Sequence, residues 1–383
     1  MPPRSRVIIV QPYVPRYRVA FYRGLRQVLD RHGMELVVAA GVADPTQARR
    51  ADAAGAMDVQ LPTRWIRFAG RRIALRRLGA LRAQQSDLVI VEQALANIET
   101  YRLMTRRHRA ESPQVAMWGH GATYVKPRLG LEHWALKRLT NLADWFFAYT
   151  PNGARHVVAG GFPDGRVSVV WNTTDTVRLG ALRSSAVARA PELAEALGIG
   201  DEPSALYIGA LDQPKRIEFL LEAAESIAGY VRSFKLIVAG AGELEALVRQ
   251  RAAEQPWLVY AGIADEPMKV ALAALARIML VPGRVGLVAL DSFALELPIV
   301  TTGWSYHAPE FEYLEHDRNA IIARDNLDDY VDSVVQLLRN DELRERLRMG
   351  CRRDATRYTM EAMVDNFSAG VVQALAAGPR VRT

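Results

Sequence analysis

The amino-acid sequence predicts an α/β fold made of two doubly wound, Rossmann-like domains that face a cleft. Short β-branched runs alternate with longer helical patterns along most of the chain. This alternation stops near residues 173–203, which are rich in Ala, Arg and Pro, and then begins again. The 383 residues are 50% hydrophobic and 24% charged, values that exclude a disordered chain and allow two hydrophobic cores. Such alternation is typical of parallel sheets that have helices on both faces and bind ligands at the carboxyl ends of their strands.

The first half of the chain contains six apolar runs of strand length, with helical stretches between them. Strands are predicted at Val7–Val10, Glu35–Ala39, Leu88–Val91, Val115–Trp118, Trp145–Ala148 and Val167–Val170. Helices are predicted at Arg18–His32, Arg71–Gln85 and Leu131–Asp144. These elements define a first domain over residues 1–172.

The second half repeats the pattern. Strands are predicted at Ala205–Ile208, Phe234–Ala239, Leu258–Tyr260, Ile278–Val281 and Pro298–Thr301. Helices are predicted near Arg216–Ala228, Gly242–Ala253, Pro267–Ala276 and Leu287–Leu295. These elements define a second domain over residues 173–359. A final helix near Glu361–Ala377, within residues 360–383, is expected to pack back on the first domain.

Charge is distributed unevenly along the chain. Residues 1–150 contain 24 Lys and Arg against 11 Asp and Glu, whereas residues 151–383 contain 25 against 31. The net charge of +7 therefore combines a basic part of +13 with an acidic part of −6. An excess of one sign in one domain favours a partner of the opposite sign there.

Cysteine content and hydropathy bear on the compartment. Cys351 is the single cysteine and allows no internal disulfide, which is typical of a cytoplasmic protein. The apolar run Val7–Val10 ends after four residues and is too short for a signal peptide. The most apolar stretch, residues 269–300, is interrupted by charged residues and by proline, which argues against a membrane-spanning helix. We therefore expect a cytoplasmic protein.

Several segments of the second half occur in an order and spacing that point to one family. They are Ala205–Ala224, Leu236–Glu243, Val259–Ile263 and Leu280–Thr302, and upstream of them stand Trp118–Gly121 and Val169–Thr176. In combination they resemble the nucleotide-binding domain and flanking segments of family-4 retaining glycosyltransferases, which have the GT-B architecture. The resemblance extends from about Val7 to Tyr358. The form Pro-Gly-x-Val-Gly-Leu at residues 282–287 resembles a variant branch of that family.

The resemblance implies a hexosyltransferase-like enzyme that moves a sugar from a nucleotide-diphosphate sugar with retention at the anomeric carbon. Catalytic roles are implied for His120 and Lys215, because a lysine suits the negative charge that grows on the departing diphosphate. The sequence has no Asp-x-Asp motif, zinc spacing or Walker loop, so we expect no metal and no cofactor besides the co-substrate. The donor-binding residues that the resemblance implies are Gly209, Lys215, Arg216, Gly262, Gly283, Val285, Gly286, Leu287 and Asp291.

Some of these positions keep two interpretations. Gly286 and Leu287 begin a helix whose N-terminus is expected to meet the diphosphate, although an ordinary strand-to-helix turn has the same pattern. Asp291 matches the family's ribose-binding glutamate, but it could instead pair locally. Glu310 is a candidate for acceptor or phosphate binding or a surface acid, and Lys126 is a further candidate of the same kind.

Three features depart from the family pattern. Gly283 stands where the family has a glutamate that holds the transferred sugar, Ala210 replaces a phosphate-binding arginine, and Pro12–Arg18 replaces an N-terminal glycine pair. We hypothesise that Arg16 or Arg18 restores the positive charge lost at Ala210. The departures keep a non-catalytic sugar-nucleotide binder, and a nucleotide-sugar epimerase or hydrolase, as alternatives.

The basic domain suggests what accepts the sugar. Residues 64–78 interleave arginines with Trp, Ile, Phe and Leu. Basic segments of this kind can lie on anionic lipid, which favours a lipid-linked or polysaccharide precursor of the cell envelope and peripheral association with the inner face of the membrane. A nucleic-acid acceptor is the alternative, since Tyr101 and His108 lie nearby, and an arginine-rich solvated surface is a third interpretation.

Overall fold

The computed structural model describes residues 4–42, 55, 57–68, 71–77, 85–95, 97–106, 112–122, 130–183 and 189–380. The chain forms two compact units. Unit 1 comprises residues 1–172 and 360–383, and unit 2 comprises residues 173–359. Each unit contains a parallel sheet with helices, so the predicted α/β class is confirmed. Within the described ranges, no helix combines the length and the apolar composition needed to cross a membrane.

The described strands of unit 1 are β1 Ser5–Gln11, β2 Met34–Ala40, β3 Val59–Gln60, β4 Thr63–Phe68, β5 Arg71–Arg76, β6 Leu88–Glu92, β7 Gln114–Gly119, β8 Trp145–Ala148 and β9 Val167–Val169. Seven of them form a parallel sheet in the order β3-β2-β1-β6-β7-β8-β9, which confirms the six predicted strands. Val7 and Ile9 pack in the core on one face, and Ile8 and Val10 pack in the core on the other. The strand is continuously apolar because both faces are buried.

The helices of unit 1 that precede residue 172 are α1 Arg18–Arg31, α2 Ile98–Arg106, α3 Gly130–Asn141 and α4 Pro151–Ala159. The helices predicted to begin at residues 18 and 131 are confirmed. A C-terminal helix, Met360–Ala377, completes the unit and contacts α1, β8 and β9. Its Phe367 ring stacks on Phe147 with 4.4 Å between the ring centroids and lies 5.0 Å from the Trp118 ring. The last helix of the chain thus supplies part of the core around the first strands.

The predicted helix over residues 71–85 is wrong where the structure describes it. Residues 71–76 form β5, which pairs antiparallel with β4 along its whole length. Trp, Ile and Phe in β4 favour an extended strand, and its cross-strand pairs outweigh the helix propensity of the Arg- and Leu-rich partner. Arg76 anchors this hairpin, because its buried guanidinium donates to Asn97 Oδ1 at 3.1 Å and forms an ion pair with Glu99. Residues 78–84 lie outside the described ranges.

Unit 2 is built on six parallel strands, β10 Ser204–Ile208, β11 Lys235–Ala239, β12 Leu258–Gly262, β13 Ile278–Leu280, β14 Ile299–Thr302 and β15 Ala320–Ala323. Their order in the sheet is β12-β11-β10-β13-β14-β15, the arrangement of dinucleotide-binding folds. The five predicted strands are confirmed, and β15 is added at the edge. The direction of strand addition reverses between β10 and β13, which is where such sheets bind ligands.

The helices of unit 2 are α5 Thr176–Ala181, α6 Ala190–Leu197, α7 Ile217–Tyr230, α8 Glu245–Glu254, α9 Glu266–Ala274, α10 Val288–Leu295, α11 Leu327–Arg339 and α12 Asp341–Arg357. The four predicted helices of this unit correspond to α7–α10. The later pair, α11 and α12, each begin after an asparagine cap. Asn326 and Asn340 accept hydrogen bonds at 2.9 Å from the amides of Asp329 and Leu343.

Candidate functional site

The carboxyl ends of β10 and β13 lie side by side at the point where the strand order of unit 2 reverses. Hydrogen bonds join the two loops that follow these strands. The amide of Arg284 donates to the carbonyl oxygen of Pro214 at 2.9 Å, and Lys215 Nζ donates to the carbonyl oxygen of Arg284 at 2.6 Å. The structure therefore brings the predicted Lys215 together with the predicted segment Gly283–Leu287.

Gly283 lies where these two loops touch. A Cβ atom at this position would come within 2.4 Å of the carbonyl carbon and oxygen of Lys215 and 2.7 Å of the carbonyl oxygen of Pro214. Because the neighbouring atoms are backbone, no side chain fits without moving the Lys215 loop. Glycine at this position therefore allows the two loops to pack closely, whereas the expected glutamate would keep them apart.

The other predicted glycines also lie at strand ends. Gly209 follows β10 with φ 151°, and Gly262 ends β12 with φ 76°. Both values lie in the region that side chains rarely adopt. They allow the chain to turn sharply at the edge where Lys215 lies.

The backbone around Lys215 is unusual. Gln213–Lys215 is a 3₁₀ helix, and Arg216 then takes the left-handed conformation with φ 54° before α7 begins. A non-glycine residue in this conformation costs about 1 kcal/mol, and such residues are concentrated at functional sites. The turn aims the Lys215 ammonium at the loop after β13.

The Arg216 side chain is held within unit 2. Its guanidinium forms an ion pair with Asp325, lies 3.4 Å from Thr302 Oγ1, to which it donates a hydrogen bond, and sits 4.2 Å from the centroid of the Phe219 ring. Thr302 ends β14, and Asp325 follows β15. Arg216 therefore links the ends of two further strands, and Asp325 balances its charge.

Helix α10 begins beside the Lys215 loop, directly after Gly286 and Leu287. The N-terminus of a helix carries partial positive charge; in α10 the amides of Ala289 and Leu290 donate to the carbonyl oxygens of Gly286 and Leu287 at 3.0 Å. In the first turn, Asp291 Oδ2 lies 2.7 Å from Lys269 Nζ, and both side chains are largely buried. Local pairing of Asp291 is thus present, and the ribose-binding role expected for it stays a prediction.

His307 is hydrogen-bonded to the loop that follows β13. Its Nδ1 accepts a hydrogen bond from the amide of Val285 at 3.0 Å, and its Nε2 lies 2.8 Å from the carbonyl oxygen of Thr302. The Nε2–H tautomer satisfies both contacts. Burial lowers the pKa of His307 to about 4, and the ring stacks on Phe311 at 4.0 Å. Sequence reasoning gave His307 no role.

Arg284 and Glu310 add two opposite charges to the site. Glu310 is 4% exposed, and its Oε2 lies 3.8 Å from the position of a Cβ on Gly286. Burial lowers the pKa of Arg284, whereas the nearby Glu310 and Asp212 act in the opposite direction. Glu310 was predicted as a candidate and lies beside the start of α10, but Arg284 was not singled out, because it occupies the variable position of the form Pro-Gly-x-Val-Gly-Leu.

Four predicted residues belong to unit 1, and three of them lie within the described ranges. His120 follows β7, and its ring lies 4.8 Å from that of Tyr149. Arg18 is 4% exposed; its guanidinium lies 4.5 Å from the Trp118 ring centroid and donates to Asn172 Oδ1 at 2.6 Å. The cation of Arg18 is therefore engaged inside unit 1, whereas Arg16 is exposed. The candidate at position 126 lies outside the described residues.

Glu92 ends β6, at the point where the strand order of unit 1 reverses. Burial raises the pKa of its carboxyl group, and Asn97 Nδ2 donates to its Oε2 at 3.2 Å. Sequence reasoning missed this residue, because an isolated acid at a strand end has no distinctive spacing. In the described part of the chain, no three His, Cys, Asp or Glu side chains are grouped to hold a metal ion.

Comparison with known proteins places the site in a family context. Residues 202–340 match the family model Glycosyl transferases group 1. The alpha-D-kanosaminyltransferase of Streptomyces kanamyceticus is 25% identical over 191 residues, which are 47% of this chain and 48% of that enzyme. The chain thus matches about half the length of this relative.

Solved structures extend the comparison to both units. Sucrose-phosphate synthase from Thermosynechococcus elongatus matches with a TM-score of 0.68 at 15% identity, over 98% of this chain and 100% of that chain. Anabaena HepE in complex with UDP and glucose matches with a TM-score of 0.67 at 12% identity, over 96% and 99%. The chain therefore has the GT-B fold with two Rossmann-like units, and the family match is confined to its residues 202–340.

Proposed function

We propose that the protein is a glycosyltransferase that takes a sugar from a nucleoside-diphosphate sugar and transfers it with retention at the anomeric carbon. The observation that carries this proposal is the packing of Lys215 against the Arg284 carbonyl, beside the N-terminus of α10, at the strand-order reversal of unit 2. A cation and a helix N-terminus together suit a diphosphate. The match of residues 202–340 to a glycosyltransferase family supports the same function.

The chemistry needs stabilisation of the leaving diphosphate. As the glycosidic bond breaks, negative charge grows on the phosphate oxygen, and groups already in place stabilise it without reorganisation. In this proposal Lys215 and the partial positive charge at the N-terminus of α10 perform that task without a metal ion. We assign His120 a second catalytic role on the strength of its motif.

The acceptor in this proposal is a lipid-linked or polysaccharide precursor at a membrane surface. The hairpin formed by β4 and β5 in unit 1 supports it, since Arg64 and Arg77 are exposed and Ile66 is 39% exposed. A cationic side chain near an anionic bilayer contributes about 1 kcal/mol of attraction. The buried pair of Arg76 and Glu99 holds the base of the hairpin.

Activity is tested by incubating the protein with nucleoside-diphosphate sugars of several bases and sugars, alone and with lipid-linked acceptors. We expect acceptor-dependent release of the nucleoside diphosphate with one donor, and a product whose anomeric configuration by NMR is that of the donor. Lys215→Ala should abolish release, while Lys235→Ala, which lies at the start of β11, should not. Inversion of configuration would contradict retention.

Membrane association is tested by flotation with vesicles of phosphatidylglycerol and phosphatidylcholine. We expect the wild type to float with the anionic vesicles and the double variant Arg64→Glu/Arg77→Glu to lose most of this binding. Arg31→Glu, an exposed position on α1, is the matched control. Binding to DNA with a steep salt dependence, without flotation, would instead favour a nucleic-acid acceptor.

A non-catalytic sugar-nucleotide binder is the second candidate. Gly283 and Ala210 favour it, because two side chains that the related enzymes use for the sugar and the phosphate are absent. Tight nucleotide-sugar binding without turnover, whichever acceptor is supplied, would support this candidate.

A further inference from the structure

The donor site proposed above lacks a cation at one expected position. Ala210 follows Gly209 at the end of β10, and its carbonyl oxygen accepts a hydrogen bond from the Tyr207 hydroxyl at 2.6 Å. Its methyl side chain contributes no charge. A diphosphate bound here would have Lys215 on this loop but no arginine at position 210.

Arg284 offers a guanidinium on the neighbouring loop. Its backbone is fixed on both sides, since its amide donates to Pro214 and its carbonyl oxygen accepts from Lys215 Nζ. The side chain is partly buried, and Nη1 lies 3.4 Å from the carbonyl oxygen of Tyr306. These hydrogen bonds join the loop that carries Arg284 to the loop that carries Lys215 at the strand-order reversal.

The surroundings of Arg284 favour the binding of an anion. The side chain is partly buried, and removing a guanidinium from water is costly, so a bound anion would offset part of that cost. The nearby carboxylates of Glu310 and Asp212 act on this pKa in the opposite direction. The planar guanidinium matches phosphate oxygens with two parallel hydrogen bonds, which a lysine cannot do.

Arg216, the other arginine of the site, is less suited to this task. It forms an ion pair with Asp325 and donates to Thr302, so its donors already serve the ends of β14 and β15. Its left-handed backbone orients it toward those strands. Arg284 differs from it because its own backbone is hydrogen-bonded to Pro214 and Lys215, and this makes it the better match for a phosphate group held by Lys215.

We propose that Arg284 is a diphosphate-binding residue of this protein and takes the place of the arginine missing at position 210. The inference rests on the proposed function, because it assumes a nucleoside diphosphate at this edge of the sheet. It differs from the hypothesis that unit 1 supplies the missing charge through Arg16 or Arg18. In this arrangement Lys215 acts as a point charge and Arg284 as a two-pronged donor, both from unit 2.

Calorimetric titration can test the assignment with the whole protein. Uridine, guanosine, adenosine and thymidine diphosphates identify the preferred base, and the matching monophosphate and nucleoside are then compared. Arg284→Ala should reduce affinity for the diphosphate about 10- to 100-fold, the range for charge-assisted hydrogen bonds, and leave nucleoside affinity unchanged. The diphosphate affinity of Arg284→Lys should lie between those of the wild type and Arg284→Ala. Arg232→Ala, exposed before β11, is the matched control and should bind like the wild type.

Each outcome bears on one claim. If the wild type binds no nucleoside diphosphate, the proposed function fails and the inference fails with it. If the wild type binds and Arg284→Ala binds the diphosphate equally well, the inference alone fails. A loss in Arg16→Ala without a loss in Arg284→Ala would return the role to unit 1. Thermal melting of each variant checks folding, and Arg284→Lys serves if the alanine variant is unstable.

Discussion

The Nδ1 atom of His307 accepts a hydrogen bond from the Val285 amide at 3.0 Å, while Nε2 faces the carbonyl oxygen of Thr302 at 2.8 Å. One neutral imidazole thus joins the loop after β13 to the end of β14. Protonation would place an N–H group against the Val285 N–H and remove this bond. We therefore expect acid to destabilise the loop that follows β13.

Stability should consequently depend on the protonation of His307. Its pKa is lowered from 6.5 to about 4 in the folded protein, so the unfolded chain binds the proton more readily between these values. This contribution is fully present above about pH 6.5 and is lost as the pH falls toward 4, a change on the order of 3 kcal/mol. Urea unfolding at pH 7, 6 and 5 measures it. His307→Gln should show a shallower pH dependence than the wild type, and equal slopes would contradict the assignment.

Replacing Lys215 should weaken diphosphate binding specifically. Lys215→Ala removes the ammonium that contacts the Arg284 carbonyl, and we expect at least a tenfold loss of affinity for a nucleoside diphosphate with little change for the nucleoside. Titration calorimetry measures both. Lys235→Ala is the control, because Lys235 Nζ donates to Pro256 at the other end of the sheet. Equal losses for nucleoside and diphosphate would indicate general disruption.

The roles of Asp291 and Lys269 can be distinguished by the ligand preference of variants at each position. If Asp291 binds ribose, Asp291→Asn should lower affinity for a ribonucleoside diphosphate about tenfold and erase the preference over its 2′,3′-dideoxy analogue. Lys269→Met breaks the same ion pair and should keep that preference. Binding measured with both ligands distinguishes the roles. An unchanged preference in both variants would leave Asp291 with a purely local role.

Position 283 should not tolerate the glutamate that the family resemblance leads one to expect there. In Gly283→Glu the new side chain would meet the Lys215 backbone at 2.4 Å, so we expect a lower melting temperature and loss of nucleotide binding. Gly229→Glu is the control, since a Cβ atom there meets nothing within 4 Å. A stable Gly283→Glu variant with enhanced transfer would show that the loop adapts.

Arg18 should matter for stability more than for ligand binding. Arg18→Ala removes the contact with the Trp118 ring and leaves Asn172 without its 2.6 Å partner, at a cost of about 3 kcal/mol. Thermal melting should detect this, while nucleotide affinity below the transition stays constant. Arg23→Ala, exposed on the same helix, should change stability by less than about 0.5 kcal/mol. Reduced affinity at full stability would place Arg18 in the donor site after all.

Most sheet elements were predictable because their patterns are local and redundant. A strand such as β1 is apolar on both faces, and α7 repeats apolar residues at helical spacing. The hairpin of β4 and β5 could not be predicted in this way, because arginine and leucine are good helix formers. Only the cross-strand pairs decide between a helix and a hairpin there.

The site residues show the same difference between local sequence patterns and long-range contacts. Lys215 and Gly283–Leu287 stand in a recognisable order, so their meeting at one sheet edge follows from the topology. His307 and Arg284 act through contacts between loops that are distant in sequence, and no spacing rule connects position 307 with Val285. Glu92 is similar, because its raised pKa arises from burial and not from a motif.

The C-terminal helix has a consequence for how the chain folds during synthesis. Phe367 and Val371 belong to the core that also contains Ile9 and Phe21, yet they leave the ribosome after all of unit 2. Unit 2 is one continuous stretch, whereas the first 172 residues must wait with an unfinished apolar surface until the last helix arrives. Domains usually fold in the order in which they are made. Here the segment that is translated first completes its native packing last, and part of its apolar core stays uncovered until the C-terminal helix has been made.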